Sequence, residues 1–131
     1  MSCFNVANVP HPRVLAMVGD AAYELWLCEH VVQHAPNMRA NKLHQWLIQH
    51  ACGAFQAKLL EVLTPLLNEA EQDLIRRARN VPLTASRRND RLTTQQATAF
   101  EALVGWLHLS QPERLAALLA SAVPLLAPIT D

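Results

Sequence analysis

Apolar positions recur at helical spacing along most of the chain, and no stretch alternates as a strand requires. From Arg13 to about His34 there is no proline, and Val14, Met17, Val18, Ala21, Leu25 and Val32 mark a first helix. Pro36 ends it, because the residue before a proline avoids helical backbone. A second helix, capped by Asn41 or starting a few residues earlier, sets Leu43, Trp46, Leu47 and His50 on one face. Gly53 marks a break, and a third stretch carries Ala54, Phe55, Leu59, Leu60, Val62 and Leu63. Thr64-Pro65 restarts the chain. Asn68, followed by Glu69, Glu71 and Asp73, reads as an N-cap and an acidic first turn. This fourth helix ends in Arg76-Arg77-Ala78-Arg79, ahead of Pro82. A fifth starts at Thr93 or Thr94, presents Phe100, Leu103, Val104 and Leu107, and stops near Ser110. Pro112 opens a sixth, with Leu115, Leu118 and Leu119. The pattern predicts an all-α fold and one domain over residues 1–131. Residues 1–12 are expected to be an extended arm, and residues 80–92 a basic surface loop.

Composition narrows the class. With 51% apolar residues the chain can bury a core, which excludes disorder. Basic and acidic residues balance at 11 each, so net charge names no partner. The three cysteines, Cys3, Cys28 and Cys52, are odd in number and lack CxxC spacing. They fit reduced thiols of a cytoplasmic protein better than a disulfide framework or a zinc site. No basic segment leads into an apolar one at the N-terminus, and no apolar run approaches the roughly 18 residues that span a bilayer. A membrane partner is therefore not expected. Three glycines leave no room for a nucleotide-binding glycine loop, and there is no GxSxG.

Distribution says more than totals. Asp20 sits inside the apolar run Leu15–Glu24, directly after Gly19. Glu101 sits inside Phe100-Glu101-Ala102-Leu103-Val104, with Gly105 four residues on. A helical glycine costs about 1 kcal/mol against alanine and often marks the close approach of another helix. Two helices meeting at Gly19 and Gly105 bring both carboxylates together, and a hard divalent cation relieves the repulsion between them. On the alternative reading, Asp20 lies on the wet side of an amphipathic helix. Arg76, Arg77, Arg79, Arg87, Arg88 and Arg91 are six of the 11 basic residues, and Asp90 is the one acid among them. They form a phosphate-binding surface or simply a solvated helix end. His30 and His34 have i, i+4 spacing without an HExxH motif and are read as structural. His44, beside Leu43 and Trp46, is read as a packed histidine, and Trp26, Trp46 and Trp106 as core or interface.

These stretches resemble a known family. Leu15-Ala16-Met17-Val18-Gly19-Asp20-Ala21-Ala22-Tyr23-Glu24 is similar to the signature helix of the ribonuclease III catalytic domain, in the form found in Mini-ribonuclease III. Phe100-Glu101-Ala102-Leu103-Val104-Gly105 is similar to the family's second acidic motif. Asn41-Lys42-Leu43-His44 and Arg76-Arg77-Ala78-Arg79-Asn80 also resemble Mini-ribonuclease III segments, in the right order. The resemblance implies the all-helical ribonuclease III endonuclease fold, working as a homodimer without a separate double-stranded-RNA-binding domain. It implies cleavage of double-stranded RNA with Mg²⁺, for which Mn²⁺ substitutes, and a role in maturing the ends of 23S ribosomal RNA precursors. Asp20 corresponds to the catalytic acid and, with Glu101, to the metal ligands. Where fuller family members carry further carboxylates, this chain has Ala16 and Thr98. Water or RNA oxygens then complete the coordination. The six arginines are expected to hold flanking phosphates. Two other readings use the same residues: a non-catalytic RNA-binding or ribosome-assembly module, and a helical adaptor without RNA.

Overall fold

The computed structural model describes residues 9–81 and 88–129, with side chains of the second segment from residue 91. Six α-helices carry it: α1 (Pro12–His34), α2 (Ala40–Ala51), α3 (Gly53–Leu63), α4 (Glu69–Arg79), α5 (Arg88–Ser110) and α6 (Pro112–Ala122). Short 3₁₀ turns follow α3 (Thr64–Leu66) and α6 (Val123–Leu125). There is no strand among the described residues, so the all-α expectation holds.

α5 is the hub. It packs along α1 most extensively and also against α3, α4 and α6. Accordingly Ala99, Phe100, Ala102, Leu103, Val104, Gly105, Trp106 and Leu107 are all buried, as suits a helix surrounded by others. Glu101 interrupts this run and is half-buried.

The buried stripe of α1 is Leu15, Gly19, Tyr23, Leu27 and Val31. This i, i+4 ridge is not the stripe by which the helix is recognised in the sequence. Val14, Met17, Leu25 and Val32 are 47%, 69%, 58% and 66% exposed. The helix is thus apolar on two sides, only one of which this chain covers.

Pro12 at the first position and the His11 ring, whose Nδ1 accepts from the Arg13 N–H, start α1. Asn68 and Glu71 form a reciprocal capping box at α4. Glu71 is fully buried, and both its oxygens accept from Arg114 of α6, at 2.9 Å each. Sequence reading gives Glu71 only a dipole role; its burial and its partner 43 residues away come from tertiary packing.

Residues 88–92 are helical, which corrects the expected loop at 80–92. No proline or glycine lies between Arg88 and Phe100, so nothing in the polar sequence stops α5 from extending N-terminally. The positions 82–87 of that loop, with Arg87, lie outside the described residues, as does most of the 1–12 arm with Cys3.

His44 is exposed; the packed histidine is His50, one to two turns later. Trp46 Nε1 donates to the Ala127 carbonyl, the Ala127 N–H donates to His50 Nε2, and His50 Nδ1 lies 2.7 Å from the Trp46 carbonyl. Since a backbone N–H can only donate, His50 Nε2 is an acceptor and its proton sits on Nδ1. The segment after α6 is thereby fixed onto α2.

Candidate active site

The site forms where α1 and α5 cross. A Cβ on Gly19 would collide with the Glu101 carbonyl, and one on Gly105 would collide with the Leu15 carbonyl. No glycine has a positive φ, so these two are needed for closeness and not for backbone conformation. At the crossing, Asp20 follows Gly19 and Glu101 precedes Gly105 by one helical turn. The structure brings the two carboxyl groups into hydrogen-bonding contact, as the paired glycines lead one to expect.

The electrostatics are asymmetric. Asp20 is exposed, whereas Glu101 is half-buried behind it. Burial, with the hydrogen bond to Asp20 and its charge, pushes the Glu101 carboxyl up to about 8. Glu101 therefore keeps its proton at neutral pH. Hard carboxylate oxygens in contact, one at the rim, form a donor set suited to Mg²⁺ or Mn²⁺. Among the described residues no three His, Cys, Asp or Glu side chains converge. Ala16 and Thr98 are half-buried and add no carboxylate.

Tyr23, one turn after Asp20, is fully buried; its hydroxyl donates to the His50 carbonyl at 2.6 Å, and its ring meets Phe100 edge-on at 5.1 Å. Burial raises its hydroxyl well above the usual tyrosine range. It braces the helices that carry both acids. An apolar groove of about 430 Å³ lies on the outer side of α1, lined by Met17, Val18, Ala21, Ala22, Leu25 and His108.

The arginines divide. Arg76 and Arg77 are exposed, and Arg76 pairs with Asp73 at 2.9 Å. Arg79 is half-buried and its Nε donates to Gln96 Oε1 of α5 at 2.7 Å. Arg91 is exposed near the start of α5; the Arg88 side chain and Arg87 lie outside the described residues. Gln96 gives no signal in the sequence, being one polar residue among Thr94-Gln95-Gln96.

His30 and His34 stack with centroids 4.2 Å apart, and His30 also stacks on Trp46 at 5.8 Å. Burial, then the nearby His34 and His50, lowers the His30 pKa.

A family model described as "Ribonuclease III domain" matches residues 13–112. Mini-ribonuclease 3 of Symbiobacterium thermophilum is 38% identical over 124 residues, covering 93% of this chain and 94% of its own length. The chain belongs to the Mini-ribonuclease III group of the ribonuclease III family. The Mini-ribonuclease 3 of Synechococcus sp. is 39% identical over 82% of this chain and 77% of its own. That of Brevibacillus brevis is 36% identical over 88% and 87%. A crystal structure of a protein from Fusobacterium nucleatum superposes with a TM-score of 0.78 at 20% identity, covering 92% of this chain and 98% of the other, and supports the fold. As a member of the Mini-ribonuclease III group the chain is an endoribonuclease of the family that acts on double-stranded RNA. No described helix is long and apolar enough to cross a membrane.

Proposed function

We propose that the chain is a Mg²⁺-dependent enzyme of the cytoplasm, with Mn²⁺ as a substitute, that trims paired ends of 23S ribosomal RNA precursors. The observation that carries this reading is the Asp20–Glu101 pair at the Gly19–Gly105 crossing. Asp20, at the rim, is the catalytic carboxylate, and Asp20 and Glu101 together hold the metal. Glu101 gives up its proton on becoming a ligand. When bound, the cation supplies a nucleophilic water of lowered pKa and offsets the charge developing on the phosphate.

Arg76, Arg77 and Arg79 at the end of α4 and Arg88 and Arg91 near the start of α5, together with Arg87 of the intervening sequence, bind flanking phosphates. A-form RNA is read through its backbone and wide minor groove, so a charged surface beside the acids suffices for recognition by shape. The working form is a homodimer, each copy cutting one strand. The outward apolar stripe of α1 and the groove at Met17 and Leu25 support this, since a second copy would cover them.

The test is cleavage of a labelled RNA duplex by purified protein with and without Mg²⁺, alongside Asp20→Asn. Cleavage that needs the metal and disappears in Asp20→Asn, with the melting temperature retained, supports the reading. Salt-sensitive binding without cleavage would assign the chain to the non-catalytic module instead, and neither binding nor cleavage to the adaptor.

A further inference from the structure

Arg79 differs from the other described arginines of the basic cluster. Arg76 is exposed and pairs with Asp73 of its own helix, a pairing that solvent weakens. Arg79 is half-buried and crosses to a different helix, where Gln96 Oε1 accepts from its Nε at 2.7 Å. A neutral acceptor at Nε leaves the full charge on the guanidinium and leaves the terminal NH₂ groups as the fork that grips phosphate. It also fixes the plane of a side chain that otherwise loses about 2 kcal/mol of rotamer entropy on binding. Gln96 lies five residues before Glu101 on α5, roughly 7.5 Å along the axis. Five residues also turn the helix by about 140°, so Gln96 faces α4 on a different side of α5 from the acid pair.

We propose that Gln96 is a positioning residue, which orients the Arg79 guanidinium on α5 so that it grips a backbone phosphate of the duplex flanking the Asp20–Glu101 site. The inference rests on the nuclease reading above. The Nε bond sets the direction of the fork.

The experiment measures duplex binding without divalent metal at several salt concentrations, and steady-state cleavage with Mg²⁺, for wild type, Gln96→Ala, Arg79→Ala and the double variant. Arg79→Ala is expected to weaken binding about tenfold and to lower the salt slope by about one, the signature of one lost phosphate contact. Gln96→Ala is expected to raise KM about fivefold with kcat within twofold and the salt slope intact, because the charge remains. The double variant is expected to match Arg79→Ala within about twofold, since Gln96 acts only through Arg79. A role of Gln96 confined to stability would lower the melting temperature without this KM effect. Additive losses, or an Arg79→Ala protein that binds like wild type, would overturn the proposal while the nuclease reading stands. A wild-type protein that neither binds nor cuts duplex RNA would overturn both.

Discussion

Adding one methyl group at Gly105 separates the crossing of α1 and α5 from ordinary helix propensity. Judged as a residue in the middle of a 23-residue helix, Gly105→Ala should stabilise by about 1 kcal/mol. The structure demands the opposite. The new Cβ would overlap the Leu15 carbonyl and stand 3.0 Å from the Gly19 nitrogen. Both are main-chain atoms of α1, so no rotamer change gives way and the whole helix must move. Overpacking of this kind costs about 1–3 kcal/mol where side chains absorb it, and a backbone clash belongs at the upper end. The expected net loss is about 2 kcal/mol or more, a fall in Tm on the order of 5–8 °C for a domain of this size. Gly53→Ala is the control. Its Cβ would sit 3.6 Å from the Ala97 Cβ and 3.9 Å from Thr93 Cγ2, which is ordinary contact, at the first turn of α3. That variant should be neutral or more stable by a few tenths of a kcal/mol up to about 1 kcal/mol. Urea unfolding of the three proteins decides. In Gly105→Ala the acids are also displaced, so cleavage measured where the variant is fully folded should fall as well. A Gly105→Ala protein as stable as wild type would refute the close crossing, and with it the account of how Asp20 and Glu101 meet.

Two further predictions concern buried charge. Arg114→Met should lose about 3 kcal/mol, because it leaves the fully buried Glu71 without its counter-ion, whereas Glu71→Gln/Arg114→Met should recover most of that loss and keep the capping box; losses that merely add in urea unfolding would count against the pairing. The hydrogen bond from Arg114 holds the Glu71 carboxyl below its usual range, so this contribution is present above about pH 4.5 and fades as pH falls through the folded value. Glu101 has the opposite sign: its folded carboxyl keeps a proton up to about 8 while the unfolded one ionises near 4.5. The contribution of Glu101 to metal-free stability should therefore be fullest below pH 4.5 and fall by on the order of a few kcal/mol as pH rises to 8, then level off. In Glu101→Gln this decline should be absent, and identical pH profiles for the two proteins would contradict the shifted carboxyl.

What could be read in advance follows from which interactions are local. Four of the six helix starts lie close to where prolines, glycines and the Asn68 cap place them, because those signals act within a turn or two, while α2 starts at Ala40 with Arg39, not Asn41, at its cap. The start of α5 was missed by five residues because Arg88-Asn89-Asp90-Arg91-Leu92 has neither an apolar period nor a breaker, so only tertiary context fixes its state. The buried face of α1 was obscured for a different reason. Val14, Met17, Leu25 and Val32 are as apolar as Leu15, Tyr23, Leu27 and Val31, and periodicity cannot say which stripe meets this chain.

The candidate site was legible to the extent that backbone approach leaves a mark on sequence. Gly19 and Gly105 are costly in helices, and each stands beside or one turn from an acid, so the pairing of Asp20 with Glu101 follows once the glycines are taken as a contact. Partners chosen by side-chain reach leave no such mark. Arg114 could meet any acid on α4, and it takes Glu71 because that carboxylate alone is both at the capping position and turned inward. Gln96 is spelled like its neighbour Gln95, and only the packing of α4 against α5 makes it the one that holds Arg79. Residues whose backbone must fit are therefore recoverable from sequence, and those whose side chains must reach across helices require the fold. That second class, Gln96 among it, is where variants should alter RNA affinity without touching the carboxylates.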